Sequence, residues 1–238
     1  YAKDKVAVVK ALKSNGLALG LVDESFKQDR ELVLMAVNSR GLALERVDSK
    51  FQKDKAIVLA AIKNDIDATE FADTSLLKDR AFVLTIVALN GDALAYVDSS
   101  FYNDEQVVLS AIDSSGLGEA LRYADDKFKK DRSVVLRAVA QRGYALEYAT
   151  PRFQKDREIA LLALKVDSWS SYDYILDFVD DGLKQDRSFI LAAAAQNGAI
   201  LEHVEAQFKR DKAIVLAALK QSPDAIEFMA DSLKHDAD

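Results

Sequence analysis

The side chains that could do acid–base or metal chemistry are two histidines and a large set of carboxylates. Neither His203 nor His235 has a histidine or cysteine three or four residues further on, so neither has metal-ligand spacing. The chain contains no cysteine, which excludes thiolate metal sites, cysteine nucleophiles and disulfides. We expect His203 to be a partly buried structural side chain, because tyrosine stands at the equivalent place elsewhere in the chain.

The carboxylates recur at a fixed spacing, as helix caps do and as a single active site would not. Ten aspartates follow one another at intervals of 25 residues, apart from one interval of 27 and one of 30. These opening aspartates are Asp4, Asp29, Asp54, Asp79, Asp104, Asp131, Asp156, Asp186, Asp211 and Asp236. No glycine-rich phosphate loop and no nucleophile elbow accompanies them. The sequence therefore predicts no catalytic, cofactor-binding or metal-binding residue, and a protein that is not an enzyme.

Each aspartate opens a unit whose apolar spacing is helical. With the aspartate as position 1, position 2 is basic, positions 5, 6 and 9 are aliphatic, and position 8 is mostly alanine. This spacing defines one face of a helix, and the aspartate carboxylate suits the N-cap. Glycine at position 13 in six units is expected to end a helix of about 11 residues in the left-handed conformation.

Two shorter helices are predicted to complete each unit. A second apolar set follows at positions 15, 16, 18 and 19, with aspartate at 20 and phenylalanine or leucine at 23. The pairs Thr150–Pro151 and Ser222–Pro223 are typical of an N-cap and the first helical residue. One unit buries too little apolar surface to fold alone, so stability must come from stacking. We predict an all-α fold, an α-solenoid of about nine stacked 25-residue repeats that forms one array over residues 1–238.

The pattern D-[KR]-x-x-[VI]-L-x-A-[VI]-x-x-x-G-x-A-L-x-[YF]-[VA]-D-x-x-[FL] recurs along the chain, most completely in residues 79–101 and 131–153. It resembles the bacterial and protist repeat family known as domain of unknown function 4116, and the resemblance covers essentially the whole chain. It implies a helical module found in tandem arrays. It implies no activity, so it brings no catalytic residue to any position of this sequence.

Two units depart from the 25-residue spacing. The fifth has two extra residues near 116–118, and the seventh has five extra residues within 168–174, SWSSYDY. This insert contains the only tryptophan, Trp169, together with Tyr172 and Tyr174. We take the three as candidate partner-binding residues, because tryptophan and tyrosine are common interface anchors. The alternative is that Trp169 packs into a widened gap in the core.

A basic residue follows the opening aspartate in eight of nine units, and the exception is Glu105. This basic row comprises Lys5, Arg30, Lys55, Arg80, Arg132, Arg157, Arg187 and Lys212. A cation in the first turn opposes the helix dipole by a few tenths of a kcal/mol, so some interaction should offset it. One interpretation is salt bridges to carboxylates at positions 17 or 20, such as Glu45, Glu147 or Asp98. The other is a row of cations for an anionic partner.

Charge and hydropathy argue against a basic nucleic-acid-binding protein and against a membrane-spanning protein. The chain has 32 basic and 39 acidic residues, a net charge of -7, so we do not expect a uniformly basic nucleic-acid binder. The longest apolar run, residues 189–195, is far shorter than the roughly 18 residues of a membrane span. We therefore expect no transmembrane segment and a soluble protein inside the cell, in the cytoplasm or an organelle. Because Asp236 begins another copy, we expect the chain to continue or its ends to be covered.

These features predict a non-catalytic helical-repeat scaffold that mediates protein–protein interaction, as a structural subunit or a region of a larger assembly. The alternative is binding of a polyanion or an anionic membrane surface through the basic row. That alternative predicts an affinity that falls steeply as salt is raised.

Overall fold

The computed structural model describes residues 4–166 and 172–234, with only the backbone described at 172–174 and 234. These residues form helices and turns, and no strand occurs among them. The predicted all-α repeat fold is confirmed.

The opening aspartate begins each repeat by capping an α-helix, here called the long helix. In repeat 3, Oδ1 of Asp54 accepts hydrogen bonds from the backbone amides of Ala56 and Ile57, at 2.9 and 3.2 Å. Two of the amides that a helix leaves unpaired at its start are thereby satisfied. The long helices have ten residues, one fewer than expected, and span Lys5–Ser14, Arg30–Ser39, Lys55–Asn64, Arg80–Leu89, Glu105–Ser114, Arg132–Gln141, Arg157–Val166, Arg187–Gln196 and Lys212–Gln221.

Positions 5, 8 and 9 of the long helix are buried as predicted, but position 4 completes the buried face where the spacing predicted position 6. In repeat 2 the buried side chains are Leu32, Val33, Ala36 and Val37, at positions 4, 5, 8 and 9. Leu34, at position 6, is only half-buried. Positions 4, 5, 8 and 9 are neighbours on a helix of 3.6 residues per turn. Position 6 lies at the edge of that face, so its leucine packs along the boundary with solvent.

Two shorter segments follow each long helix, as predicted. The middle segment is a 3₁₀-helix in seven repeats, at Gly16–Leu21, Gly41–Arg46, Ile66–Phe71, Gly91–Ala95, Gly143–Tyr148, Gly198–Glu202 and Pro223–Phe228. In repeats 5 and 7, which carry the extra residues, it is instead an α-helix, at Ala120–Tyr123 and Tyr172–Phe178.

The third segment is a single turn of helix in most repeats. It spans Glu24–Lys27, Ser49–Gln52, Ser99–Asn103, Asp126–Lys129, Pro151–Gln154, Asp181–Lys184, Phe208–Arg210 and Asp231–Lys234. In repeat 3 the corresponding residues, 74–78, form a turn. The starts predicted at Pro151 and Pro223 are confirmed, although the side chains of Thr150 and Ser222 make no cap hydrogen bond.

The position-13 glycines have a different role from the predicted one. The residue that ends the first long helix, Asn15, is extended (φ −154°), and Gly118 is the one described glycine with positive φ. The left-handed C′ prediction is therefore wrong. A Cβ on Gly16 would lie 2.0 Å from the carbonyl oxygen of Ala36, and one on Gly41 would lie 2.4 Å from that of Ala61. At these two junctions glycine is needed because the long helix of the next repeat approaches this close, whereas repeat 3 has Ile66 at the same position.

The chain divides into two compact units, Tyr1–Ser114 and Ser115–Asp238. Within the first unit, repeats 1 to 4 and the long helix of repeat 5 pack in sequence order. Within the second, the remainder of repeat 5 and repeats 6 to 9 do the same. The division falls in the expanded part of repeat 5, just before Gly118 (φ 79°). A single array over 1–238 stays a prediction.

Candidate functional site

Seven of the eight basic-row residues, Lys212 being the exception, are paired with the next repeat within the described residues. Each cation lies 2.5–3.3 Å from a carboxylate oxygen of the following opening aspartate. These pairs, here called the ion-pair ladder, are Lys5–Asp29, Arg30–Asp54, Lys55–Asp79, Arg80–Asp104, Arg132–Asp156, Arg157–Asp186 and Arg187–Asp211. Asp236, the opening aspartate that follows Lys212 in the sequence, lies outside the described residues.

The acceptors proposed from sequence were wrong, although the ion pairs do link repeats. Glu45 pairs with its neighbour Arg46 at 3.2 Å, and Asp98 accepts from Lys78 at 3.8 Å. In a capping aspartate such as Asp54, Oδ1 accepts hydrogen bonds from the amides of its own helix, and Oδ2 accepts a hydrogen bond from the cation of the preceding repeat. The hydrogen bond from Arg30 and those from the helix amides hold the pKa of Asp54 below its usual value.

Lysines at the end of the repeat form a second set of links. Lys53 Nζ lies 3.7 Å from Asp73, and Lys155 Nζ lies 3.5 Å from Asp180, each at position 20 of the next repeat. The ion-pair ladder and these lysines neutralise much of the positive charge that was considered for an anionic partner. The polyanion alternative stays a prediction, and these pairings disfavour it because seven of the eight basic-row cations have a carboxylate partner among the described residues.

A backbone hydrogen bond accompanies the second set. The amide at position 20 donates to the carbonyl at position 24 of the preceding repeat, and this contact is here called the position-20 bond. It joins Asp73 to Gln52, Asp98 to Leu77, Thr150 to Lys129, Asp180 to Gln154 and Ala230 to Lys209, at 2.9–3.4 Å.

The aromatic insert is described only in part. Trp169 lies outside the described residues, and of Tyr172 and Tyr174 only the backbone is described. That backbone opens the helix Tyr172–Phe178, whose Ile175 and Leu176 are buried in the core. Whether the three aromatic residues contact a partner or the core therefore stays a prediction.

A cluster of tyrosines around Glu147 in repeat 6 was not found from the sequence. The rings of Tyr144 and Tyr148 meet edge to face with centroids 5.8 Å apart, and Phe178 meets Tyr144 in the same way at 5.4 Å. Burial, with hydrogen bonds to Tyr144 and Glu147, raises the pKa of Tyr148. The Oε2 atom of Glu147 is buried and has no hydrogen-bond partner among the described residues. The rings fill the space around this carboxylate, so the cluster is part of the packing.

A cavity lies where repeat 7 meets repeat 8. It has a volume of about 240 Å³ and is here called the 7–8 cavity. Its walls come from the middle and third segments of repeat 7, from the long helix of repeat 8 and from the residues that follow the middle segment of repeat 8. They are Leu176, Asp177, Asp181, Lys184, Gln185, Ile190, His203, Val204 and Glu205.

Two sequence departures mark this junction and could have drawn attention to it. Position 20 of repeat 8 is Glu205, where most repeats have aspartate, and position 18 is His203. The Glu205 carboxylate accepts from the side chain of Gln207 at 3.0 Å and caps no helix. His203 is half-buried, as expected, with Nε2 3.7 Å from Glu202.

Within the described residues, no group of three or more histidine and carboxylate side chains is arranged to hold a metal ion. No helix there is long and apolar enough to cross a membrane. His235 lies outside the described residues.

One family profile matches the chain repeatedly. The family is described as Domain of unknown function (DUF4116), and its seven overlapping matches cover residues 8–52, 29–77, 54–102, 104–154, 131–184, 156–209 and 186–234. No curated protein and no solved structure matches the chain.

Proposed function

This chain belongs to the DUF4116 family, whose description assigns no activity, and on that premise we propose that it is a non-catalytic helical-repeat scaffold that binds another protein. It would act as a structural subunit or as one region of a larger assembly. Arrays of this kind present extended surfaces built from successive repeats, and such surfaces suit protein partners.

The observation that carries the proposal is the interruption of repeat 7. It adds five residues to a repeat that is otherwise 25 residues long, and it includes the only tryptophan. Insertions in repeat arrays form loops on one face, often the binding face, and tryptophan and tyrosine are enriched among the residues that dominate binding energy. The helix Tyr172–Phe178 begins within this stretch, and its Ile175 and Leu176 are buried in the core.

The internal use of charge also supports a protein partner over a polyanion. The ion-pair ladder occupies the basic row, and the chain carries a net charge of -7. A polyanion would have to displace the aspartates from the cations it binds, against overall repulsion. A protein partner with apolar and basic groups meets neither obstacle.

The test is affinity purification of the full chain at physiological salt, with mass spectrometry of what co-purifies. We expect one or more proteins in stoichiometric amount, and we expect the variant Trp169→Ala with Tyr172→Ala to lose them. Leu21→Ala is the matched control, because Leu21 is a large apolar side chain that is 83% exposed and far from the insert in sequence.

Two outcomes would count against the proposal in different ways. Partners retained by the insert variant would remove the insert as the anchor but keep the scaffold. Recovery of nothing except salt-labile nucleic acid or lipid would refute the scaffold and favour the basic row.

A further inference from the structure

The 7–8 cavity exists at a junction that lacks the position-20 bond. Glu205 is at position 20 of repeat 8, and Lys184 is at position 24 of repeat 7. At the five junctions that have the position-20 bond, the amide and the carbonyl at these two positions are paired, but the amide of Glu205 makes no hydrogen bond to the carbonyl of Lys184. The junction of repeats 1 and 2 lacks this bond as well. There, however, the Gln28 side chain donates to Asp48 at 3.0 Å and bridges the two repeats. At the 7–8 junction the equivalent Gln185 lines an open space instead.

The floor of the cavity is apolar and its mouth is negative. Leu176, Ile190 and Val204 are buried side chains of the floor. Three carboxylates line the cavity, those of Asp177, Asp181 and Glu205, and Lys184 is the one lysine. Because Lys184 Nζ lies 2.7 Å from Asp181, it compensates one of the three. Two negative charges therefore remain beside an apolar floor.

This combination fits a cation on an aliphatic stem. Lysine and arginine side chains lay their methylene groups on apolar surface and keep the charged group at its polar edge. Carboxylates bind ammonium and guanidinium groups through charge-assisted hydrogen bonds, the strong class of hydrogen bond. A neutral ligand would form no charge-assisted hydrogen bond with these carboxylates, and an anionic ligand would be repelled by them.

The size of the cavity points to one side chain of a larger molecule. About 240 Å³ is below the roughly 300–1,000 Å³ of pockets that enclose whole small molecules. The net charge of -7 also attracts a basic partner at long range.

We propose that the 7–8 cavity binds a lysine or arginine side chain of a partner polypeptide. The inference rests on the proposed function and names the chemistry of the partner. The helix Tyr172–Phe178 places the cavity next to the insert, since it carries Leu176 and Asp177 about four residues, or roughly 6 Å, after Tyr172.

The first experiment needs no identified partner. Isotope-labelled full chain is titrated with N-acetyl-arginine methylamide and followed by the NMR shifts of backbone amides. We expect shifts centred on Leu176, Ile190 and Val204, with none from the citrulline analogue, which has the same shape without the charge. Equal shifts with citrulline, or no arginine shifts at the solubility limit, would overturn the proposal.

Paired variants then identify the carboxylates. Asp177→Asn with Glu205→Gln keeps side-chain size and should weaken arginine binding about ten-fold, because a charged hydrogen-bond acceptor is lost. The control Asp224→Asn with Glu227→Gln changes two exposed carboxylates of repeat 9 and should leave the affinity unchanged. Equal weakening by both pairs would show attraction by overall charge and would refute a specific site.

Co-purification separates this inference from the proposed function. If the Asp177→Asn, Glu205→Gln chain keeps all its protein partners, the scaffold stands and the cavity is not its basic-residue site. If the arginine probe binds but the unaltered chain recovers no protein, the proposed function is refuted while the cation site stands.

Discussion

The guanidinium of Arg30 binds both carboxylate oxygens of Asp54, with Nε 2.9 Å from Oδ2 and Nη2 3.2 Å from Oδ1. The same Oδ1 caps the helix that begins at Lys55. One aspartate thus starts its own helix and fastens that helix to the preceding repeat. The first-turn cation, unfavourable to its own helix dipole, is held in place by the neighbouring repeat.

The two roles of Asp54 can be separated by substitution. Asp54→Ala removes the cap and the ion pair, and should lower the free energy of unfolding by about 1–2 kcal/mol. Asp54→Asn keeps a good N-cap and removes only the charge, so it should cost about 0.2–1 kcal/mol, as an exposed pair does. Urea unfolding followed by circular dichroism measures both.

Arg30→Ala is the matched control for the pair alone. Its loss in the free energy of unfolding should be similar to that of Asp54→Asn. The double variant, Arg30→Ala with Asp54→Asn, should lose little more than either single variant, because both substitutions remove the same interaction. Loss of stability in Asp54→Asn as large as in Asp54→Ala would show that the pair, rather than the cap, dominates.

Glycine at position 13 should be intolerant of a methyl group. In Gly41→Ala the new Cβ would meet the Ala61 carbonyl oxygen at 2.4 Å and the Asp65 Cβ at 2.7 Å. Both are held by packed helices, so we expect a loss of about 1–3 kcal/mol from overpacking. Gly20→Ala is the control, because its Cβ would meet only the flexible side chain of Arg46 at 3.6 Å.

The Gly20→Ala control should change stability by less than about 1 kcal/mol, and in the stabilising direction if the backbone accepts alanine. Thermal unfolding of the two variants compares them directly. Equal effects would mean that backbone freedom, and not the close approach of repeats, explains the glycine at position 13.

Features that depend on residues within one repeat were predicted from the sequence. The caps and the helix starts at Pro151 and Pro223 follow from side chains near in sequence. The stacking of repeats follows because one repeat buries too little apolar surface to fold alone. The acceptor of Arg30 and the role of Gly41 depend on the distance between repeats, which no single repeat encodes. Both were accordingly mispredicted.

The 7–8 cavity escaped prediction for a related reason. Replacing aspartate by Glu205 adds one methylene, and the carboxylate then accepts from Gln207 instead of capping a helix. A one-residue change of this kind looks conservative in sequence. The position-20 bond does not follow from this residue type, since Ala230 makes it and Asp48 does not, so the space at the junction emerges only when two repeats are packed together.

Stability should fall in acid because the ladder carboxylates have lowered pKa values. Hydrogen bonds from Arg30 and Lys55 are the main cause at Asp54 and Asp79 respectively. A folded-state pKa below the unfolded value of about 3.9 gives stability that is present above that pH and lost as pH falls through the folded pKa. The urea midpoint should therefore drop as the pH falls below about 4.

A variant with Asp54→Asn and Asp79→Asn tests the cause. It should be less stable near neutral pH but lose less on acidification, because two of the titrating groups are gone. Parallel pH profiles for this variant and the unaltered chain would assign the acid sensitivity to other carboxylates.

Asn197 should contribute more to stability than the equivalent Asn90, although each of them follows a long helix at position 12 of its repeat. Each side chain accepts from the amide two residues on, that of Ala199 at 3.2 Å and that of Asp92 at 2.9 Å. Asn197 is also 2% exposed and donates to the carbonyl of Leu164, in the preceding repeat, at 3.2 Å. In Asn197→Ala that carbonyl loses its donor in the core, at a cost of about 1–3 kcal/mol beyond the cap.

Asn90→Ala removes the cap bond alone and is therefore the reference. Peptide-level hydrogen exchange reports the local loss of protection in each variant, which suits a repeat array better than one global midpoint. We expect faster exchange around Leu164 and Ala199 in Asn197→Ala than around the equivalent helix end in Asn90→Ala. Because the two asparagines share a repeat position and a cap bond, equal protection losses would mean that the link to Leu164 adds nothing, and stacking of apolar side chains would then account for the junction.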